Sequence, residues 1–74
     1  MEVELITRAG CHLCDEALAL LRASGCEPRL TDVDADPRLL DEYGWRVPVI
    51  LVEGHIAAEG AVTLAVVRRA LSSR

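Results

Sequence analysis

Two cysteines three residues apart, Cys11 and Cys14, are the side chains in this sequence best suited to chemistry. Disulfide exchange needs a thiolate. That form is favoured where unpaired backbone N–H groups and the positive end of a helix dipole face the sulfur. With a helix opening at Cys11, its sulfur stands at the N-terminus. The Cys14 sulfur then lies one turn on, near enough to close a disulfide with little backbone movement. Cys11, the outer sulfur, becomes the nucleophile, and Cys14, turned inward, the group that resolves a mixed disulfide. The same pair could instead be a buried structural pair or half of a zinc site. Structural zinc takes four N or S ligands, and the other candidates are Cys26, His12 and His55. His12 sits between the cysteines, poorly placed to join both on one ion. Cys26 lies past the far end of the helix, about 20 Å from Cys11 at helical rise. No metal ligands are therefore assigned within one chain, and a metal or iron–sulfur site shared by two chains stays open as the alternative.

The elements that must position these sulfurs are short. Val3, Leu5 and Ile6 read as a first strand, with Glu2 and Glu4 on its alternate face. Arg8-Ala9-Gly10 is a loop, and a helix runs from Cys11 to about Ala23 on the spacing of Leu13, Ala17, Leu20 and Leu21. Asp15 and Glu16 suit its first turn, and Ser24-Gly25 ends it. Pro28 to Val33 reads as a second strand. Asp36-Pro37 is a helix start, an Asp cap followed by Pro at the first helical position, and that helix ends before Gly44. Val47 to Val52 is the most strand-like run; Glu53-Gly54 turns the chain and His55 to Ala58 returns antiparallel. Ala61 to Leu71 closes as a helix with Leu64, Val67 and Leu71 on one face. The expected fold is α/β: a mixed four-stranded sheet flanked by three helices in the order βαβαββα, one domain over residues 1–74.

Composition narrows the partners. The chain has 74 residues, 51% hydrophobic, too apolar for a disordered segment. Its formal net charge is −4, and its eight basic residues, all arginine, are scattered, so the clustered positive surface that phosphate binding needs is missing. Only Tyr43 and Trp45 are aromatic, which leaves no stacking platform for single strands. Neither nucleic acid nor membrane is expected as a partner, since no apolar run approaches the twenty or so residues that cross a bilayer. Met1-Glu2-Val3-Glu4 lacks the basic start of a signal peptide, and the expected location is cytoplasmic, where a close cysteine pair points to redox or metal work more than to a staple. Cys26 is expected to be a structural thiol. Asp32, Asp34 and Asp36 superficially open a calcium loop, but Pro37 replaces the sixth-position Gly and Tyr43 the twelfth-position Glu. They are read as a strand end and a helix cap.

Arg8-Ala9-Gly10-Cys11-His12-Leu13-Cys14, followed by Val47-Pro48 opening a strand, resembles the glutaredoxin-type members of the thioredoxin superfamily. Cys-His-Leu-Cys, Asp32 to Pro37 and Tyr43-Gly44-Trp45-Arg46-Val47-Pro48-Val49 are most similar to the small bacterial glutaredoxin-like proteins. The resemblance implies a minimal thioredoxin fold, a redox pair at Cys11 and Cys14, and a cis-proline at Pro48 that lets the Val47 backbone grip an extended substrate segment. It implies a thiol–disulfide oxidoreductase acting on protein or low-molecular-weight disulfides, with no bound cofactor, recycled by an external thiol or reductase. Glutathione is the reductant the family suggests. Against it stands Ala58-Glu59-Gly60-Ala61, where glutaredoxins carry Gly-Gly and a polar pair for the glutathione carboxylate. Arg8 and Arg46 are the side chains that could still meet a carboxylate. His12 is a candidate to stabilise the neighbouring thiolate, Leu13 to offer an exposed apolar contact, and Tyr43 and Trp45 to cover the core beside the proline loop. A monomer is expected. A redox-inactive adaptor with inert cysteines is the remaining alternative.

Overall fold

The computed structural model describes residues 1–72. Its elements are β1 (Val3–Thr7), α1 (His12–Ala23), β2 (Arg29–Asp32), a 3-10 turn (Val33–Ala35), α2 (Pro37–Tyr43), β3 (Val49–Val52), β4 (His55–Glu59) and α3 (Leu64–Ser72). The four strands form one mixed sheet in the order β2-β1-β3-β4, with β1 and β2 parallel and the other two pairs antiparallel. The element order is the one the hydrophobic periodicity indicates.

Period-two alternation in the two central strands divides the core between the faces. Val3, Leu5, Ile50 and Val52 meet Ala17 and Leu21 of α1 and Val67 of α3. Ile6, Val49 and Leu51 meet Val33, with Leu39 and Tyr43 of α2 and Val47 packed against them. All four β3 residues are buried because both faces of that strand are covered. Glu4, facing the α2 side of β1, is held by its cross-strand neighbours: Arg29 pairs with it at 2.9 Å and the Thr31 hydroxyl donates to its other oxygen.

Local chemistry explains the boundaries. Asp36 caps α2 by accepting from the Arg38 N–H at 2.8 Å, with Pro37 at the first helical position. At the end of α1 the Gly25 N–H donates to the Arg22 carbonyl and the Cys26 N–H to the Leu21 carbonyl, at 3.0 and 2.9 Å. This is a Schellman cap, and it seats Cys26 against the α1–α3 side of the core. Glu53 and Gly54 are both left-handed, with φ of 52° and 80°, as the two-residue hairpin turn requires.

Four expectations are corrected. The second strand is shorter than 28–33, because Pro28 has no N–H for the ladder and Val33 turns into the 3-10 segment. β3 starts at Val49 instead of Val47, since Pro48 likewise cannot donate. α3 starts at Leu64, three residues later than the apolar pattern suggests, where the Thr63 hydroxyl accepts from the Val66 N–H at 3.2 Å. Trp45 covers no core: it is fully exposed, while Tyr43 packs as expected.

Candidate functional site

The loop between β1 and α1 is built around Cys11. The Cys11 N–H donates to the Arg8 carbonyl at 3.2 Å, closing a turn in which Gly10 takes φ 77°, the left-handed value its third position demands. Cys11 is extended and caps α1: its Sγ accepts the Cys14 N–H at 3.2 Å, and its carbonyl accepts the Asp15 N–H at 3.1 Å. A sulfur thus fills the role usually given to a Ser or Asp oxygen. Cys14 lies one turn on with its Cα 5.2 Å from that of Cys11, and the two sulfurs are joined as a disulfide. Cys11 is half-buried and Cys14 is buried, so the outer sulfur is the one open to attack.

The second component comes from β3. The register pairs Ile6 with Val49, so the chain before Val49 runs beside Thr7 and the loop that leads to Cys11. The Val47–Pro48 bond is cis, and Pro48 is buried with its carbonyl accepting the Gly60 N–H at 2.8 Å. Among the described residues, neither the N–H nor the carbonyl of Val47 has a hydrogen-bond partner. The topology therefore brings the cysteine loop and the Val47–Pro48 loop to one end of the sheet.

The other residues singled out in the sequence are placed as follows. Leu13 is exposed beside the cysteines. The His12 imidazole pairs with Glu16 one turn along, Nε2 to Oε2 at 2.7 Å, and both side chains face solvent. The Arg8 guanidinium has partners within the chain: Nε and Nη2 donate to Asp34 at 2.9 and 3.1 Å, and Nη1 to the Gly44 carbonyl at 3.0 Å. Arg46 donates to both oxygens of Glu59, at 2.7 and 3.1 Å, lies over the Tyr43 ring and also reaches Glu42. The arginines expected to meet a substrate carboxylate are thus already met by the protein's own. Glu59, the acid in the stretch that stands where glutaredoxins hold the glutathione carboxylate, has its charge compensated by Arg46.

Arg8 holds the Asp34 carboxyl below its ordinary range, chiefly through their hydrogen bonds, and Arg46 does the same for Glu59. Asp34 and Gly44 were not evident as site-forming residues in the sequence, nor was Glu59 as the partner of Arg46. They lie 26, 36 and 13 positions from their arginines, beyond any local pattern.

A cleft of about 420 Å³ lies next to the cysteine loop, lined by Arg8, Pro37, Leu40, Asp41, Gly44 and Trp45. Among the described residues, no three His, Cys, Asp or Glu side chains converge where they could hold a metal ion. Cys26 is at the opposite end of α1, against the core. Burial, and then the charge of Glu27, push its thiol pKa up.

The family model described as "Glutaredoxin-like domain (DUF836)" matches residues 2–72. The chain belongs to this glutaredoxin-like family. Uncharacterized proteins of Mycobacterium bovis and Mycobacterium tuberculosis are 42% identical to it over 62 residues, covering 72% of this chain and 64% of theirs. The match thus spans less than two thirds of the length of these relatives. The X-ray structure of target protein XcR50 from X. campestris superposes with a TM-score of 0.73 at 31% identity, covering 97% of each chain. Thioredoxin 1 from Thermosipho africanus superposes with a TM-score of 0.54 at 17% identity over 96% of this chain and 94% of its own, a likeness of fold. The glutaredoxin-like chain has a thioredoxin-like fold and a close Cys11–Cys14 pair. Among its described residues no helix is long and apolar enough to cross a membrane.

Proposed function

We propose that this glutaredoxin-like protein is a thiol–disulfide oxidoreductase and electron carrier. The observation that carries the reading is the Cys11 sulfur at the N-terminus of α1, accepting the Cys14 N–H at 3.2 Å, with the buried Cys14 sulfur in bonding reach. In the reduced state the same N–H groups and helix dipole favour the Cys11 thiolate. That thiolate attacks one sulfur of a substrate disulfide. The other substrate sulfur leaves as a thiolate and takes up a proton. Cys14, once deprotonated, then attacks Cys11 Sγ, closing the Cys11–Cys14 disulfide and releasing the second substrate thiol. Two electrons pass from the pair to the substrate; of the two protons the product thiols take up, one comes from Cys14 and one from solvent. An external dithiol or a reductase returns them.

Val47 and Pro48 orient the substrate. The unpartnered N–H and carbonyl of Val47 suit an extended segment laid alongside them, which holds its sulfur in line with Cys11. Leu13 and the fully exposed Trp45 supply apolar contact for a protein disulfide. Glutathione fits less well as reductant, because Arg8 and Arg46 are both engaged with carboxylates of the chain. A reducing compartment such as the cytoplasm suits this cycle.

The test is the pH dependence of Cys11 alkylation by iodoacetamide, mapped by mass spectrometry on reduced, metal-free protein. A midpoint well below the free-cysteine value of about 8.5 is expected. A midpoint at or above it removes the physical basis for catalysis.

A further inference from the structure

We propose that Arg8 is a positioning residue, holding the Val47–Pro48 loop at a fixed distance and angle from the Cys11 sulfur. The inference rests on the disulfide-exchange reading and extends it to how a protein substrate is aligned.

Arg8 acts through both its main chain and its side chain. Its carbonyl accepts the Cys11 N–H, closing the turn that presents the nucleophile. Its side chain leaves that turn and reaches two other segments. Nε and Nη2 grip Asp34 in the 3-10 turn after β2, and Nη1 donates to the carbonyl of Gly44, the residue that ends α2. Gly44 stands three residues before Val47, and the intervening chain has little slack: the Arg46 N–H donates to the Tyr43 carbonyl at 2.8 Å.

From the other side the same loop is tied to the end of β4, by Arg46 to Glu59 and by the Gly60 N–H to the Pro48 carbonyl. The loop is therefore held at both flanks. Of the side-chain hydrogen bonds among the described residues, those of Arg8 are the ones that reach from the cysteine loop to the end of α2, where the chain sets out for Val47.

Residue type matters here. A guanidinium offers donors in a rigid planar fork, so it meets a carboxylate and a carbonyl together. A lysine ammonium is a compact point donor on a flexible stem and does not hold both in register. Asp34 fixes the plane of the fork, which aims Nη1 at Gly44. The consequence for catalysis is selective. A small disulfide needs only access to the sulfur, whereas a protein disulfide must also lie along Val47. A misplacement of about 1 Å between those two points can cost on the order of a hundredfold in rate.

The experiment compares wild type with Arg8→Lys and Arg8→Gln on two probes, insulin as a protein disulfide and 2-hydroxyethyl disulfide as a small one, with Cys11 alkylation measured in parallel. Both variants should lose about tenfold more kcat/KM on insulin than on the small disulfide, mostly through KM, while the alkylation midpoint stays put. Asp34→Asn, which unfixes the fork, should move the same ratio in the same direction by a smaller factor. Equal losses on both probes, or a shifted alkylation midpoint, would make Arg8 an electrostatic or merely structural residue and overturn the proposal. A Lys variant indistinguishable from wild type would also overturn it.

Should the wild-type protein reduce neither probe, the disulfide-exchange reading fails on its own account. Amide hydrogen exchange then decides the clasp. Exchange at Arg46, whose N–H donates to the Tyr43 carbonyl, that is faster in Arg8→Gln while the β3 amides keep their protection supports it, and unchanged exchange at Arg46 overturns it.

Discussion

The backbone N–H of Cys14 points at the sulfur of Cys11, 3.2 Å away, so in the proposed exchange the resolving residue stabilises the nucleophile through its main chain. The donor belongs to the peptide, and a change of the Cys14 side chain leaves it in place. Cys14→Ser should therefore keep the Cys11 alkylation rate within about threefold of wild type while stable mixed disulfides accumulate with substrate. Cys11→Ser should abolish turnover. Mass spectrometry of the Cys14→Ser protein after incubation with insulin checks the first outcome. Failure to trap any adduct would count against the two-step exchange.

Much of this arrangement is legible in the sequence, and for a common reason. The Cys11 cap, the Asp36-Pro37 start of α2, the Glu53-Gly54 turn and the alternation in β3 are encoded within a few residues of where they act. What escaped the sequence is long-range. Trp45 carries the composition of a core residue yet is fully exposed, because Tyr43, Leu39 and Val47 already fill the α2 side of the sheet. Arg8 and Arg46 read as free cations because nothing within a turn of either announces Asp34 or Glu59. The shortened start of α3 was readable in principle. Thr63 is a good cap, but the apolar run from Ala61 masks it.

Cys26 shares its residue type with Cys11 and Cys14 but not their setting. It sits at the Schellman cap of α1, packed against the core, and burial followed by the Glu27 charge pushes its pKa up. A thiol with a raised pKa holds less thiolate at any given pH. On reduced protein near neutral pH, iodoacetamide should therefore label Cys11 first and Cys26 last. The lag should disappear in denaturing urea, where the desolvation is lost. Quantitative peptide mapping over a time course separates the sites. Labelling of Cys26 as fast as Cys11 would show that the α1 cap gives the Cys11 sulfur no advantage.

The two arginine clasps make an acid limb in the stability curve. Asp34 and Glu59 have lowered pKa values in the folded state, first through hydrogen bonds from Arg8 and Arg46. A carboxylate whose folded pKa is depressed stabilises the fold above its unfolded value, about 4, and that contribution is lost as pH falls through the lower folded value. Thermal stability should thus decline from about pH 4 downward. The Asp34→Asn, Glu59→Gln double variant should be less stable at pH 7, with a flatter decline below pH 4. Both pairs are exposed, so the difference should be modest and should shrink in 1 M salt. Melting temperatures between pH 2 and 7 at two salt concentrations provide the test.

Two glycines near the site resist substitution for different reasons, and the contrast separates backbone conformation from space. At Gly10 a new Cβ would meet nothing within 4 Å, but φ is 77°, so an L side chain is strained in that turn. Gly10→Ala should cost about 1–2 kcal/mol, and Gly10→Asn less, because Asn tolerates the left-handed region. Gly44 is the reverse case, an ordinary helical φ of −53° with a Cβ position that collides with the Leu40 carbonyl oxygen of α2. That oxygen is backbone and cannot rotate aside, so relief requires moving the end of α2 or the Gly44 carbonyl itself. The carbonyl is the acceptor of Arg8 Nη1, so any such shift also strains the clasp on the Val47–Pro48 loop. Gly44→Ala should therefore destabilise the fold by about 1–3 kcal/mol. It should also cost more activity on insulin than on 2-hydroxyethyl disulfide, whereas Gly10→Asn should affect both substrates alike because it acts on the cysteine turn they share. Urea denaturation and the two-substrate comparison measure both effects. A Gly44→Ala protein as stable as wild type would mean that the α2 terminus yields freely, and the loop it anchors would then be free to move with it.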